Sequence, residues 1–117
     1  MRIIIGLGFL VAAVGVALAH AQLDHATPSV GSTVPQAPKE VALTFTNELE
    51  SAFSSIDVRN EKGVSVQSGK STVDKNNRTL LRVPLKPLPP GTYKVIWRLL
   101  SVDTHRTQGA FTFRVGP

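Results

Sequence analysis

The chain has 117 residues, carries thirteen Lys and Arg against eight Asp and Glu for a formal net charge of +5, and contains no cysteine. This length fits one domain, and the lack of cysteine excludes disulfides and thiolate metal sites. The basic residues are scattered along the sequence, so no cluster indicates nucleic-acid binding.

The first nineteen residues predict an export signal. Arg2 precedes the apolar run Ile3–Leu18, and Ala17-Leu18-Ala19 has the small-x-small pattern of a cleavage site. Because the run is shorter than the ~20 residues that span a bilayer, we expect it to be removed, with a retained membrane anchor as the alternative. Cleavage after Ala19 leaves residues 20–117 as one exported domain, although cleavage after Ala21 satisfies the same pattern.

The exported part of the chain is predicted to be a series of about seven short strands. In chain order they are Gln22–Ala26, Val41–Phe45, Ile56–Val58, Val64–Val66, Thr79–Val83, Tyr93–Leu100 and Ala110–Val115. Turn-forming or proline-rich segments separate them, and a short helical turn is predicted near Glu48–Phe53. Short strands at this spacing are typical of an antiparallel β-sandwich, which is the all-β fold that we expect.

The last two predicted strands supply much of the expected core. Their apolar faces consist of Tyr93, Val95, Trp97 and Leu99 in the first strand and Phe111, Phe113 and Val115 in the second. Because successive side chains alternate between the two faces of a strand, each of these sets lies on one face and is expected to be buried. We therefore interpret Trp97 as a core residue rather than as part of a binding surface.

Candidate metal ligands occur near both ends of the exported chain. After cleavage behind Ala19, His20 is the N-terminal residue and offers two nitrogen donors, its α-amine and its ring Nδ1. Asp103 and His105 lie between the last two strands, and residues two apart in an extended chain point the same way, so both can approach one ion. An amine, two imidazoles and one carboxylate suit Cu(II) in a square-planar or tetragonal arrangement.

The exported chain contains no sulfur, because the sequence has no cysteine and its one methionine, Met1, is removed with the signal. Cu(I) prefers thiolate or thioether ligands, so we predict one Cu(II) ion, no Cu(I) site and no blue-copper centre. For Asp103 and His105 the alternative is a turn that the carboxylate stabilises. His25 is interpreted as a surface histidine, with an axial copper ligand as the alternative.

Three segments of the exported chain resemble one known family. They are H-A-Q-L-D-H-A-T-P-S-V-G-S from His20, L-T-F-T-N-E-L from Leu43 and G-T-Y-K-V-I-W-R-L-L-S-V-D-T-H-R-T-Q-G-A-F-T-F-R-V from Gly91. These segments are similar to the CopC (PcoC) family of periplasmic copper-binding proteins. The resemblance implies a Greek-key, cupredoxin-like sandwich, cleavage after Ala19, and a Cu(II) site formed by His20, Asp103 and His105.

The sequence also departs from part of that family. Some members bind Cu(I) in a Met-rich loop, but residues 59–79 contain neither Met nor His here, so the resemblance implies a Cu(II)-only member. Some relatives place a Glu near the copper where this chain has Asn47 followed by Glu48. We count neither residue as a ligand.

These observations together predict a monomeric periplasmic protein that binds copper and is not an enzyme. It would buffer copper, contribute to copper resistance, or deliver copper to an inner-membrane, CopD-like importer. One alternative is a copper oxygenase with a histidine brace, which needs an open axial position and a flat aromatic surface. The other is a metal-free, immunoglobulin-like interaction module.

Overall fold

The computed structural model describes residues 21–117. The predicted signal peptide, its cleavage site after Ala19, and His20 lie outside the described residues. Within residues 21–117 the regular structure consists of eight strands and one 3-10 turn, Ser51–Phe53. The strands are β1 Leu23–Thr27, β2 Thr33–Val34, β3 Glu40–Phe45, β4 Ser55–Arg59, β5 Thr72–Val73, β6 Leu80–Pro84, β7 Gly91–Leu100 and β8 Arg106–Val115.

The strands form two four-stranded sheets. The first has the order β1-β3-β6-β5 and the second the order β2-β8-β7-β4. Neighbouring strands are antiparallel except for β2, whose two residues run parallel to the end of β8. The predicted all-β sandwich is therefore confirmed, with eight strands in the described residues instead of about seven and with one parallel pair.

Two parts of the strand prediction are wrong. Segment Val64–Val66 does turn back on β4, because the Val66 N–H donates to the Val58 carbonyl at 2.8 Å. Its pairing nevertheless consists of an isolated bridge rather than a continuous strand, and β4 pairs over its whole length with β7. Strands β2 and β5 were not predicted, because two residues are too few to show an alternation.

Apolar side chains from both sheets fill the space between them. The members with no exposed surface include Val41, Leu43, Val58, Leu81, Val83, Val95 and Phe113. Tyr93 and Leu99 are also buried, as the alternation along β7 predicts. Trp97 is only partly buried: its ring meets Phe45 edge-on with centroids 5.2 Å apart, and it lies directly over Gly109, where a Cβ would be 2.3 Å from the indole.

One end of the sandwich brings together two chain segments that matter below. Strands β7 and β8 pair from Gly91 opposite Val115 to Leu100 opposite Arg106, so residues 101–105 form the loop at that end. Residues 46–50, which follow β3, lie against it, because the Glu50 N–H donates to the Leu100 carbonyl at 2.8 Å. In the part of the chain that the structure describes, no helix is long and apolar enough to cross a membrane.

Candidate metal centre

The loop between β7 and β8 is a tight turn closed by backbone hydrogen bonds. The Ser101 N–H donates to the His105 carbonyl at 3.0 Å, and the Thr104 N–H donates to the Ser101 carbonyl at 2.9 Å. Thr104 has a φ of 71°, a left-handed conformation that is unusual for a β-branched residue. The turn reverses the chain over five residues and leaves the side chains of Asp103 and His105 next to each other.

Asp103 and His105, the two candidate ligands within the described residues, are indeed brought together. His105 Nδ1 lies 3.4 Å from Asp103 Oδ1, and each side chain is 44 % exposed. Their proximity follows from the tight turn and not from an extended chain, which the spacing of the two residues had predicted. A carboxylate oxygen and an imidazole nitrogen at this separation can both approach one ion from solvent.

Two further residues hold the Asp103 carboxylate in place. Ser101 is fully buried, and its hydroxyl donates to Asp103 Oδ1. The Asn47 side-chain amide donates to Oδ2 at 3.4 Å. The hydrogen bond from Ser101 lowers the pKa of the Asp103 carboxyl by more than desolvation raises it, and the nearby His105 lowers the pKa further. Asp103 is therefore an anion at neutral pH, which is the form that binds a cation.

The first described residues are held beside this site by hydrogen bonds. Gln22 and Thr46 exchange two hydrogen bonds of 2.9 Å, from the Gln22 N–H to Thr46 Oγ1 and from the Thr46 N–H to the Gln22 carbonyl. Ala21 is only 2 % exposed and belongs to the core. Thr46 is followed directly by Asn47, which contacts Asp103. Residues 21–22 are therefore held close to the loop that carries the candidate ligands.

Among the described residues, the candidate metal ligands at this loop are two, Asp103 and His105. Among residues 21–117, no three or more His, Cys, Asp or Glu side chains come together in an arrangement that could hold a metal ion. His25 is exposed on β1, where a bulge between Leu23 and His25 leaves both Asp24 and His25 in solvent. His20, the third predicted ligand, lies outside the described residues.

The roles of Asn47 and Ser101 were not predicted from the sequence. Asn47 lies 56 residues from Asp103 in the chain, and no local pattern connects the two. Ser101 carried a weak signal, since it precedes Asp103 by two residues and directly follows the last residue of β7. A small polar residue at a strand end can turn its hydroxyl towards the loop that follows.

Comparisons with known proteins agree on one family. The model of the CopC domain matches residues 23–116. Protein YobA of Escherichia coli K12 is 36% identical over 98 residues, covering 83% of this chain and 79% of YobA. Copper resistance protein C of Escherichia coli is 35% identical over 106 residues, covering 85% of this chain and 83% of that protein.

A solved structure extends the agreement to three dimensions. The crystal structure of CopC from Methylosinus trichosporium OB3b superimposes with a TM-score of 0.79 at 33% sequence identity. The match covers 84% of this chain and 95% of that one. Sequence and fold therefore agree over nearly all of the described residues.

Proposed function

Because the chain belongs to the CopC family, we propose that it binds one Cu(II) ion through His20, Asp103 and His105. The observation that carries the proposal is the pairing of Asp103 and His105, 3.4 Å apart, in an exposed loop. The copper-resistance protein among its relatives supports copper as the cargo. The ion is what the protein carries, and the three residues are its proposed ligands.

Covalent geometry supports His20 as the third ligand. His20 precedes Gln22 by two residues, and two residues of chain span at most about 7 Å. Gln22 is hydrogen-bonded to Thr46, and the residue after Thr46, Asn47, is hydrogen-bonded to Asp103. The burial of Ala21 also favours cleavage after Ala19, because a cut after Ala21 would remove a core residue. An N-terminal His20 would then bring its amine and its ring to the side of the loop.

The donor set favours Cu(II) over Cu(I). An α-amine, two imidazole nitrogens and a carboxylate are ligands that suit Cu(II), while Cu(I) prefers sulfur. The chain has no cysteine, and its only methionine is Met1. With Asp103 ionised, the ion and its ligands carry a net charge of +1 (+2 from copper and −1 from the carboxylate). This charge can be tolerated in a loop that is open to solvent.

The exposure of the loop favours a role in carrying copper. Since both described ligand side chains are 44 % exposed, an incoming ligand from a partner can reach the metal without unfolding of the core. We propose that the protein is exported to the periplasm as a monomer. There it would buffer copper or deliver it to an inner-membrane, CopD-like importer or to another copper-resistance protein.

An oxygenase is the less favoured function. Its copper would need an open position where Asp103 is proposed to bind, and its substrate would need a flat aromatic surface. Within residues 21–117, Phe53 is exposed and Trp97 is partly buried, while the other aromatic rings, Phe45, Tyr93, Phe111 and Phe113, are buried, so a single exposed ring is left for such a surface. Oxidation of a polysaccharide by the copper-loaded protein with added reductant would favour the oxygenase instead.

The proposal is tested by Cu(II) titration of the protein that starts at His20, in competition with a chelator. Asp103→Ala and His105→Ala should each weaken binding by about 100-fold or more and change the Cu(II) electron paramagnetic resonance spectrum, because each removes a ligand. His25→Ala is the matched control and should leave both unchanged. Failure of the unmodified protein to compete for Cu(II) would contradict the proposal and favour the metal-free interaction module.

A further inference from the structure

The outer face of the second sheet gathers basic residues that are scattered in the sequence. The outward side chains of β4, β7 and β8 include five cations, Arg59, Lys94, Arg98, Arg106 and Arg114. The same strands present one outward anion, Asp57, which already pairs with Arg59 at 2.7 Å. Within the described residues, the other four cations have no carboxylate within 4.0 Å, and we call these four residues the basic face.

A groove lies at the end of the basic face that is nearest to the candidate metal centre. Its volume is about 540 Å³, and its lining includes Arg98, Arg106, Phe53, Ser54, Ser55 and Gln108. Arg98 is opposite Gln108, and Arg106 is opposite Leu100, so the two arginines are diagonal neighbours on one face of the sheet. Phe53 is 60% exposed and forms an apolar wall beside them.

The charge and shape of the groove point to one kind of occupant. Two guanidinium groups can each hold a carboxylate through paired hydrogen bonds. Phe and Arg are both enriched in protein–protein interfaces relative to the rest of the surface. The groove has room for a protruding apolar side chain beside Phe53 and the two arginines. A protein segment rich in Asp and Glu with an apolar side chain matches these features.

We propose that the basic face and its groove form a docking surface for an acidic segment of a partner protein. Arg106 directly follows His105, and the Glu50 N–H holds the segment before the 3-10 turn against Leu100. A segment seated between Phe53 and Arg106 therefore lies beside the loop that carries Asp103. Docking itself is inferred from the charge and shape of the groove. If the docked partner also receives copper from the neighbouring loop, that use rests on the proposed function.

The test uses copper-free protein that starts at His20, labelled with ¹⁵N, and a synthetic peptide. The peptide has twelve residues, alternates pairs of Glu or Asp with Phe or Leu, and is blocked at both ends. We expect it to shift the amide signals of Ala52–Ser55, Arg98 and Arg106–Gln108. We also expect its affinity to fall as NaCl is raised from about 50 to about 300 mM, because salt screens exposed charges.

A charge-reversal pair makes the test specific. Arg98→Glu with Arg106→Glu should weaken peptide binding by more than about tenfold. Lys62→Glu with Lys75→Glu makes the same change in net charge on exposed residues away from the groove, and should weaken it far less. Equal losses in the two variants, shifts confined to other surfaces, or no binding at all would overturn the proposal.

Vesicles and copper distinguish the remaining outcomes. Stronger binding to vesicles of equal phosphatidylglycerol and phosphatidylcholine than to the peptide would also overturn the proposal, in favour of a membrane surface. Copper titration of the Arg98→Glu, Arg106→Glu variant should show that Cu(II) binding is retained, because neither arginine is a proposed ligand. If this variant loses peptide binding but keeps copper binding, the result supports a docking surface that is separate from the metal site. If the unmodified protein binds the peptide but fails to bind copper, docking is supported and the copper proposal is wrong.

Discussion

Replacement of Ser101 by Ala tests whether the buried hydroxyl positions a copper ligand. Ser101 has no exposed surface, and its hydroxyl donates to Asp103 Oδ1. A hydrogen bond to a charged group contributes about 1.5–3 kcal/mol. Because about 1.4 kcal/mol corresponds to a factor of ten, its loss should weaken Cu(II) binding by about 10- to 100-fold.

The assay can use the intrinsic fluorescence of the protein. Trp97 is the only tryptophan in the chain, so quenching of its emission by Cu(II) in competition with a chelator reports on a single ring. Ser54→Ala is the matched control. Ser54 is also buried, but its hydroxyl bonds to the backbone of Leu100 instead of Asp103. This control should lose about 1 kcal/mol of unfolding free energy and keep its copper affinity.

Two results would refute the role assigned to Ser101. One is an unchanged affinity in the Ser101→Ala variant, which would mean that Asp103 needs no positioning or is not a ligand. The other is an equal loss of affinity in Ser54→Ala, which would attribute the effect to general loosening of this end of the sandwich.

Further predictions concern the core, the stability against acid and the second contact of the carboxylate. Gly109→Ala should lower the free energy of unfolding by about 1–3 kcal/mol, because its Cβ would be 2.3 Å from the Trp97 ring, and an unchanged melting temperature would contradict this packing. Burial raises the pKa of Asp57, but its hydrogen bonds outweigh burial and leave the pKa lower than usual. The stabilisation by the Asp57 carboxylate is therefore present above pH about 4 and is lost as the pH falls through the lowered pKa. Asp57→Asn should lower the free energy of unfolding at pH 7 by about 1 kcal/mol and should lose less stability than the unmodified protein on acidification. Parallel profiles of stability against pH in the two proteins would contradict this role of Asp57. Asn47→Ala should weaken copper binding less than Ser101→Ala does, because the Asn47 contact with Asp103 is 3.4 Å long, and a larger effect in the same titration would reverse this ranking.

The sandwich was predictable because its main signal is local. Alternation of apolar and polar residues along a strand identifies its buried face without knowledge of its neighbours. This is why the burial of Tyr93, Val95 and Leu99 was predicted correctly. The pairing of β4 with β7 was not predicted, because it joins strands 35 or more residues apart in the chain, as in the pair Arg59 and Lys94.

The candidate ligands were predictable for a different reason. Asp103 and His105 are two residues apart, so their backbones are close in any conformation, and the tight turn then places their side chains next to each other. The residues that fix Asp103 were not predictable in the same way, because Asn47 reaches it only after the two sheets have packed. The basic face shows the same limit. Alternation places Lys94 and Arg98 outward, but only the sheet order puts Arg106 beside them.

The central claim is that His20 supplies both its amine and its ring to Cu(II), and a change at the amine tests it most directly. The protein that starts at His20 is compared with one that retains Ala19, in a Cu(II) titration against a chelator with intact mass recorded for each. We predict that the first binds one Cu(II) and that the second binds it more weakly by orders of magnitude, because the amine has become an amide. Equal affinities would contradict the claim.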